Sequence, residues 1–412
     1  MSTNNFYADN ITEDERNRLD RQMRLPGWNQ KALKDSSVLI LGVGGLGTEI
    51  AKNLAMAGVG TMHLVDMDHI EYSNLNRQIL FIEAKEGESK AEAAAKMLKK
   101  VNPHGEYIPY HKPLQELEPS IYEEVDLYIA GLDSVAAREE LNRRAVMYGK
   151  PLVDGGTATY HGHIYSYIPN ENSCLACDPM REREQDDLAA CTLVGKPRKR
   201  SHCLLKGQLA FQEKNGRLPD VSEKEEVEFV FGYANDLAEE YFPNEGKFSL
   251  DDVVKAIDHH EPAIITVNAV IASIQSQDAL RILHHLKGTE LGSLPLKYTI
   301  YNGLYSNFFS FDKPKNPKCQ VCGPNAPKVF RMKMKPSSTF DMILKILQKN
   351  GFEWEEDLEP LIYRMDSLDM DLITTDQTFN EINARHKEIY MVSGLEREGY
   401  DQDMIYLQVA LN

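Results

Sequence analysis

The stretch "SSVLILGVGGLGTEIAKNLAMAGVGTMHLVDMDHI", residues 36–70, reads as strand, glycine turn, helix and second strand. Its opening apolar run is continuous rather than alternating, which suits a strand buried on both faces. "GVGGLG" follows at once and contains Gly42, Gly44, Gly45 and Gly47; the helix after it stops at Gly58 and Gly60, and the second strand ends near Asp66. Glycines at such a turn let the backbone approach phosphates, and the helix start offers N–H groups that no helical carbonyl uses. An acid about two dozen residues further on reaches a ribose. The stretch therefore predicts a βαβ unit of a nucleotide-binding α/β fold. So far a dinucleotide and ATP read alike.

Moving outward, "DMDHIEYSNLNRQ" and "GESKAEAAAKML" supply Asn74, Arg77 and Lys90. Cationic and polar groups here suit a triphosphate whose charge must be neutralised during attack, which a hydride-transferring enzyme does not need. Asp133, in "AGLDS", follows the carboxyl end of another strand, where open α/β sheets place ligand contacts, and a free carboxylate beside phosphates suits Mg²⁺. Each of Arg77, Lys90 and Asp133 alone reads equally as a surface ion pair; their order around one sheet favours ATP. "EVDLYIAGLDS", the helical "VAAREELNRRAVMYG" and the alternating "KPLVDGGTATYHGHIYSYIP" predict a mainly parallel sheet with an antiparallel extension.

Residues 1–183 form the first part of this domain, and residues 184–261 change to charged sequence with helical patches such as "EKEEVEFVFGYANDLAEEYF", an insertion. Residues 262–327 resume a long apolar helix and alternating strands. In residues 328–412 a helix carries Phe340, Ile343, Leu344 and Leu347 on one face and stops at Gly351, among strands read from "KVFRMKMK", "PLIYRM", "DLITTD" and "DMIYLQVAL". At the other end, Thr12 and Glu15 have capping-box spacing for a helix bearing Arg16, Arg18, Arg21 and Arg24, which on composition is a solvated face.

The formal net charge of −17, from 46 Lys and Arg against 63 Asp and Glu, disfavours nucleic acid and anionic membranes as main partners. The opening "MSTNNFYADN" lacks an apolar signal core and "AIITVNAVIASI" is too short to span a bilayer, so a soluble cytoplasmic chain is expected. Four of the six cysteines form two CxxC pairs, Cys174/Cys177 and Cys319/Cys322. Four thiolates make a closed tetrahedral site that favours structural Zn²⁺, clipping the start of the insertion to the end of the sheet. Neither pair opens a helix after a strand as a redox CxxC would. Cys191 and Cys203 remain, in "AACTLVGKPRKRSHC", residues 189–203. Cys191 reads either as a small buried apolar residue or as a nucleophile whose thiolate is favoured by Lys196, Arg198, Lys199 and Arg200. Cys203 reads as structural, and His202 as a helper or a surface residue.

Together, "RLDRQ", "GVGGLG", "LVDMDHIEYSNLNRQ", "SKAEAAA", "GLDS" and "LVDGG" resemble the ThiF-type adenylating fold shared by molybdopterin-synthase-activating and ubiquitin-activating enzymes. "ACTLVGKPRKRSHC" is similar to the catalytic-cysteine segment of NEDD8-activating and ubiquitin-activating enzymes, and the tail resembles their ubiquitin-fold domain. The resemblance implies an α/β, Rossmann-like adenylation domain with a mainly helical catalytic-cysteine insertion and a C-terminal β-grasp domain. It implies that Asp66 binds ribose, that Asn74, Arg77 and Lys90 bind phosphates, that Asp133 binds Mg²⁺, and that Cys191 forms a thioester. Arg21 matches an arginine sent across a dimer interface into the partner's ATP site. The implied reaction is ATP-dependent activation of a ubiquitin-like protein through its C-terminal glycine, with transfer to a conjugating enzyme docked at the tail. A chain carrying both Arg21 and the whole ATP set suits a homodimer. A sulfur-carrier adenylyltransferase would share the ATP site without needing the tail or insertion. A non-catalytic partner subunit would be expected to lose Arg77, Lys90 or Asp133. An NAD dehydrogenase is the remaining competitor.

Overall fold

The computed structural model describes residues 11–177, 197, 200–257, 264–355, 359–366, 371–397 and 403–412. The chain divides into two compact units, Met1–Cys177 with Ala263–Asn412, and Asp178–Pro262.

The first unit opens with α1 (Glu13–Met23) and α2 (Gln30–Lys34). Thr12 caps α1 by accepting from the Glu15 N–H at 3.2 Å. The reciprocal half of the expected capping box is not formed, because the buried Glu15 carboxylate pairs with Lys34 Nζ at 2.8 Å instead. Then follow β1 (Ser37–Leu41), α3 (Gly45–Ala57), β2 (Thr61–Val65), α4 (Lys90–Val101), β3 (Glu106–Tyr110), α5 (Pro119–Glu124), β4 (Leu127–Ala130), α6 (Val135–Tyr148), β5 (Leu152–Ala158) and β6 (His161–Tyr167). The second unit holds α7 (Ser201–Asn215), α8 (Lys224–Tyr241) and α9 (Leu250–Ile257), packed around Cys203, Phe211, Val230, Ala234 and Val253. The first unit resumes with α10 (Ile265–Leu286), β7 (Tyr298–Asn302) and β8 (Asn307–Phe311).

The eight strands run in the order β3-β2-β1-β4-β5-β6-β7-β8. Pairing is parallel from β3 to β5 and antiparallel from β5 to β8. Val38, Leu39, Ile40 and Leu41 are all buried, and residues of β1 contribute to the apolar clusters on both sheet faces. That double burial is why the run carries no alternation. Strand order reverses between β1 and β4, and this opens a crevice at their carboxyl ends. Strand β3 is absent from the sequence reading because "EYIPY" contains Pro109; the strand lies at the sheet edge, where a missing N–H is tolerated.

The C-terminal residues add β9 (Val329–Met334), α11 (Phe340–Lys349), β10 (Leu361–Arg364), β11 (Leu372–Ile373), β12 (Glu388–Ser393) and β13 (Met404–Leu411). The sheet order is β11-β10-β12-β13-β9, with the first and last strands of the segment parallel. Helix α11 buries Phe340, Ile343, Leu344 and Leu347 against this sheet, as its spacing predicts. Strand β12 escaped the sequence reading. It lies inside the sheet and is buried at Glu388, Ile389, Tyr390 and Val392, so "EIYMVS" shows no two-residue period. The segment docks on α5, the turn before it, and α6: Arg144 pairs with Asp366, Lys387 with Glu123, and Arg385 donates to the Glu116 carbonyl. Among the described residues no helix is long and apolar enough to cross a membrane.

Candidate functional site

The glycine turn lies where β1 meets α3. Gly42 has a φ of +81°, and a Cβ there would stand 2.5 Å from the Gly131 carbonyl oxygen at the end of β4. A Cβ on Gly47 would stand 1.9 Å from the Gly42 oxygen, so α3 packs on the turn only without a side chain. Gly44 caps α3 with no side-chain hydrogen bond, which leaves the first-turn N–H groups for a ligand. Asp66, just beyond β2, accepts from Val43 N–H at 2.7 Å and Asp68 N–H at 2.9 Å. It thereby ties the turn to the neighbouring strand. Burial pushes the Asp66 carboxyl upward, opposed by those two N–H bonds and by Lys90.

Lys90, the first residue of α4, pairs with Asp68 at 2.8 Å. Arg77 donates to the Ser73 carbonyl at 2.9 Å and to Asn76 at 3.1 Å, and its Cδ is 3.8 Å from where a Gly45 Cβ would be. The Asn74 amide is engaged in its own turn, accepting from Glu71 N–H at 3.2 Å and donating to the Ser73 hydroxyl at 3.4 Å. Asp133 is exposed after β4, and among the described residues its carboxylate has no hydrogen-bond or ion-pair partner. The loop before it is held by Arg138, which donates twice to the Leu132 carbonyl at 2.9 and 2.7 Å. Behind Arg138 stand Asp154 at 3.8 Å and His163 at 3.4 Å. The glycine turn, Asp66, Arg77, Lys90 and Asp133 thus gather around the carboxyl ends of β1, β2 and β4.

Arg21 does not join them. Its neighbour Gln22 donates to the Ala57 carbonyl at 2.8 Å, at the far end of α3 from the turn. At 1.5 Å rise per residue the two ends of α3 are about 18 Å apart. Arg21 is exposed and cannot reach this chain's own turn.

Three polar residues at the turn went unread in the sequence: Gln78, Thr157 and Asn268. Gln78 is within the quoted "NRQ", but a neutral amide carries no charge signal. Asn268 had one available signal, a polar residue inside the otherwise apolar "VNAVIA" that must find a partner when buried.

The two CxxC pairs converge. All four Sγ atoms lie within 4.8 Å of one another, with Cys174 and Cys319 at 3.7 Å and Cys177 and Cys322 at 3.3 Å. A tetrahedron with metal–sulfur bonds of about 2.3 Å has edges of about 3.8 Å. The donor set and its spacing fit a closed four-sulfur centre.

Cys191, Lys196, Arg198 and Lys199 lie outside the described residues. Arg200 donates to the Gly246 carbonyl at 3.1 Å and lies 3.8 Å over the Phe248 ring, so it is held within its own unit. Cys203 is fully buried in the helical core, and burial pushes its thiol upward, an inert setting. His202 is not a surface residue, being 6% exposed.

The ThiF family model matches residues 19–321. The NEDD8-activating enzyme E1 catalytic subunit of Arabidopsis thaliana is 32% identical over 318 residues, covering 73% of this chain and 68% of that protein. Its counterpart in Schizosaccharomyces pombe is 32% identical, covering 72% of each. The Caenorhabditis elegans SUMO-activating enzyme subunit uba-2 is 31% identical over 47% of this chain and 34% of its own. A crystal structure of E. coli MccB with AMPCPP and MccA shares the fold, with a TM-score of 0.52 and 21% identity over 76% of this chain and 75% of that one.

Proposed function

Since the chain belongs to the ThiF family, alongside the E1 catalytic subunits, we propose that it activates the C-terminus of a ubiquitin-like protein with ATP. A carboxylate oxygen of the modifier's terminal glycine attacks the α-phosphorus of ATP. The bond from that phosphorus to the bridging oxygen breaks, and pyrophosphate leaves with the electron pair. The resulting acyl-adenylate has a carbonyl that a thiolate can attack. Cys191 then forms the thioester and AMP departs with the anhydride oxygen, after which the acyl group passes to a thiol of a conjugating enzyme recruited by the C-terminal sheet.

The carrying observation is the glycine turn with its uncapped helix start at the end of β1, together with Asp133 after the end of β4, whose carboxylate is without a partner among the described residues. The turn binds phosphate, Asp66 takes the ribose hydroxyls, and Arg77 and Lys90 neutralise charge on the departing pyrophosphate. Asn74 shapes the turn that presents Arg77. Asp133 holds Mg²⁺, which supplies charge neutralisation on the phosphates when bound. Cys174, Cys177, Cys319 and Cys322 hold a structural Zn²⁺, in keeping with reduced thiols and a cytoplasmic location.

A protein substrate is favoured over a small acid by the exposed aromatic edge of the large sheet, where Tyr305, Phe308, Phe309 and Phe311 face solvent. Arg21 acts in a second copy of this chain, because it is out of reach of its own site and the nucleotide set is complete; the assembly is a homodimer with two equivalent sites. The test is ATP–pyrophosphate exchange with candidate ubiquitin-like proteins, followed by non-reducing gels. A thiol-sensitive adduct is expected in wild type and Cys203→Ala, and Cys191→Ala keeps exchange but loses the adduct. Exchange without any adduct, with a sulfide-dependent thiocarboxylate product, would instead establish a sulfur-carrier adenylyltransferase.

A further inference from the structure

Helix α10 carries Asn268 into the core of the first unit, where the residue is 2% exposed. An amide at that depth needs partners at both ends. Its oxygen has one: the Thr157 hydroxyl, at the end of β5, donates to Oδ1 at 2.8 Å. Its Nδ2, with two N–H bonds to give, donates to none of the described residues. That nitrogen lies over the first residue of α3, only 2.4 Å from where a Gly45 Cβ would be. Gln78, 3% exposed, also approaches the turn, with Nε2 at 3.9 Å from a Gly44 Cβ position and a buried Oε1 that has no partner among the described residues. Two buried amides and the Arg77 side chain therefore converge on the uncapped start of α3.

We propose that Asn268 is a catalytic residue of the adenylation step, giving an Nδ2 hydrogen bond to the phosphate seated at the start of α3, and that Thr157 is its positioning residue. The proposal rests on the adenylation reading above. As the modifier's carboxylate oxygen adds to phosphorus and pyrophosphate departs, charge builds on the non-bridging oxygens. A donor already held in place through its amide oxygen, with both N–H bonds still to give, stabilises that charge without reorganising. Thr157 holds the amide with its nitrogen, not its oxygen, toward Gly45. An oxygen there would face the phosphate and repel it.

The test uses the full chain with Asn268→Ala, Asn268→Asp and Thr157→Val, measuring ATP–pyrophosphate exchange and the binding of ATP and of adenosine. Asn268→Ala is expected to lower the exchange kcat about ten- to hundred-fold and to weaken ATP while adenosine binds as in wild type. Asn268→Asp loses more, since it sets an anion against phosphate. Thr157→Val is expected to lower kcat more than it raises the KM for ATP, and to add little when combined with Asn268→Ala. Wild-type exchange in Asn268→Asp would overturn the proposal, because the amide oxygen would then be the end facing the turn. Loss of adenosine binding together with ATP binding in Asn268→Ala would also overturn it, by showing a packing role. A wild-type chain that neither exchanges pyrophosphate nor binds ATP fails the adenylation reading itself. Wild-type exchange that Asn268→Ala leaves intact fails this inference alone.

Discussion

Replacing Asp366 by Asn removes one negative charge from the junction of the C-terminal sheet with α6, and leaves the side-chain shape almost unchanged. In the Arg144–Asp366 pair the side chains are 2% and 1% exposed, and Nη1 meets Oδ1 at 2.7 Å. The other Asp366 oxygen accepts from Ile389 N–H at 3.0 Å. Arg144 also donates from Nε to Glu140 at 2.9 Å and lies 4.6 Å over the Tyr122 ring, while its Nη2 has no acceptor among the described residues. Asn can keep the bond to Ile389, but then turns an amide donor against a guanidinium donor. Removing one partner of a buried pair costs about 3–5 kcal/mol; Glu140 still neutralises part of the charge, which puts the loss near the lower end, about 3 kcal/mol. At about 2–4 °C per kcal/mol for domains of 150–250 residues, and less for a larger unit, Tm should fall by about 6 °C. Differential scanning calorimetry of the full chain measures this, and hydrogen exchange should show the added opening at β12 and β13. Arg144→Met with Asp366→Leu should recover most of the loss, since apolar replacement of a buried pair is often neutral. A Tm within about 1 °C of wild type in Asp366→Asn would show that water reaches the guanidinium, and the reasoning would fail.

The His284 imidazole is held below its ordinary value of 6.5 by burial, against a raising contribution from the Leu280 carbonyl, and its Nε2 accepts from Asn29 N–H at 3.0 Å. The unfolded chain takes up that proton first, so stability is full above 6.5 and is lost as pH falls through the window below it; urea unfolding from pH 7.5 to 5.5 should show the slope, flattened in His284→Gln. Metal analysis should find about one zinc per chain, and Cys177→Ser should lose it and unfold at lower temperature; zinc-free wild type of full stability would refute the four-sulfur centre. Mixing inactive Arg21→Ala and Lys90→Ala chains should restore about a quarter of wild-type exchange, because half the dimers are mixed and each has one intact site. No recovery on mixing would mean that Arg21 does not act from a second copy of this chain.

Much of the candidate nucleotide site was legible because the features that suggest it are local in the chain. A glycine turn between strand and helix needs residues with no Cβ at fixed offsets, and the approach of the Gly42 backbone to the Gly131 carbonyl is the contact that requires this. Likewise the face of α11 follows from helical spacing alone, and the two CxxC pairs announce four sulfurs. Strand β12 was not legible, because burial on both faces erases the two-residue period, and β3 was hidden by a proline that only its edge position permits.

By itself, then, the sequence determined the βαβ unit, the charged groups along its loops, the four candidate sulfur ligands and the leftover Cys191. Tertiary structure decided what depends on segments far apart in the chain. It brought Cys174 and Cys177 to Cys319 and Cys322, removed Arg21 to the far end of α3, committed Asn74 to its own turn, and set Asn268 and Thr157, 111 residues apart, on the glycine turn. A neutral amide has neither charge nor period to mark it in a sequence; its meaning comes only from burial and from which end of it is left without a partner.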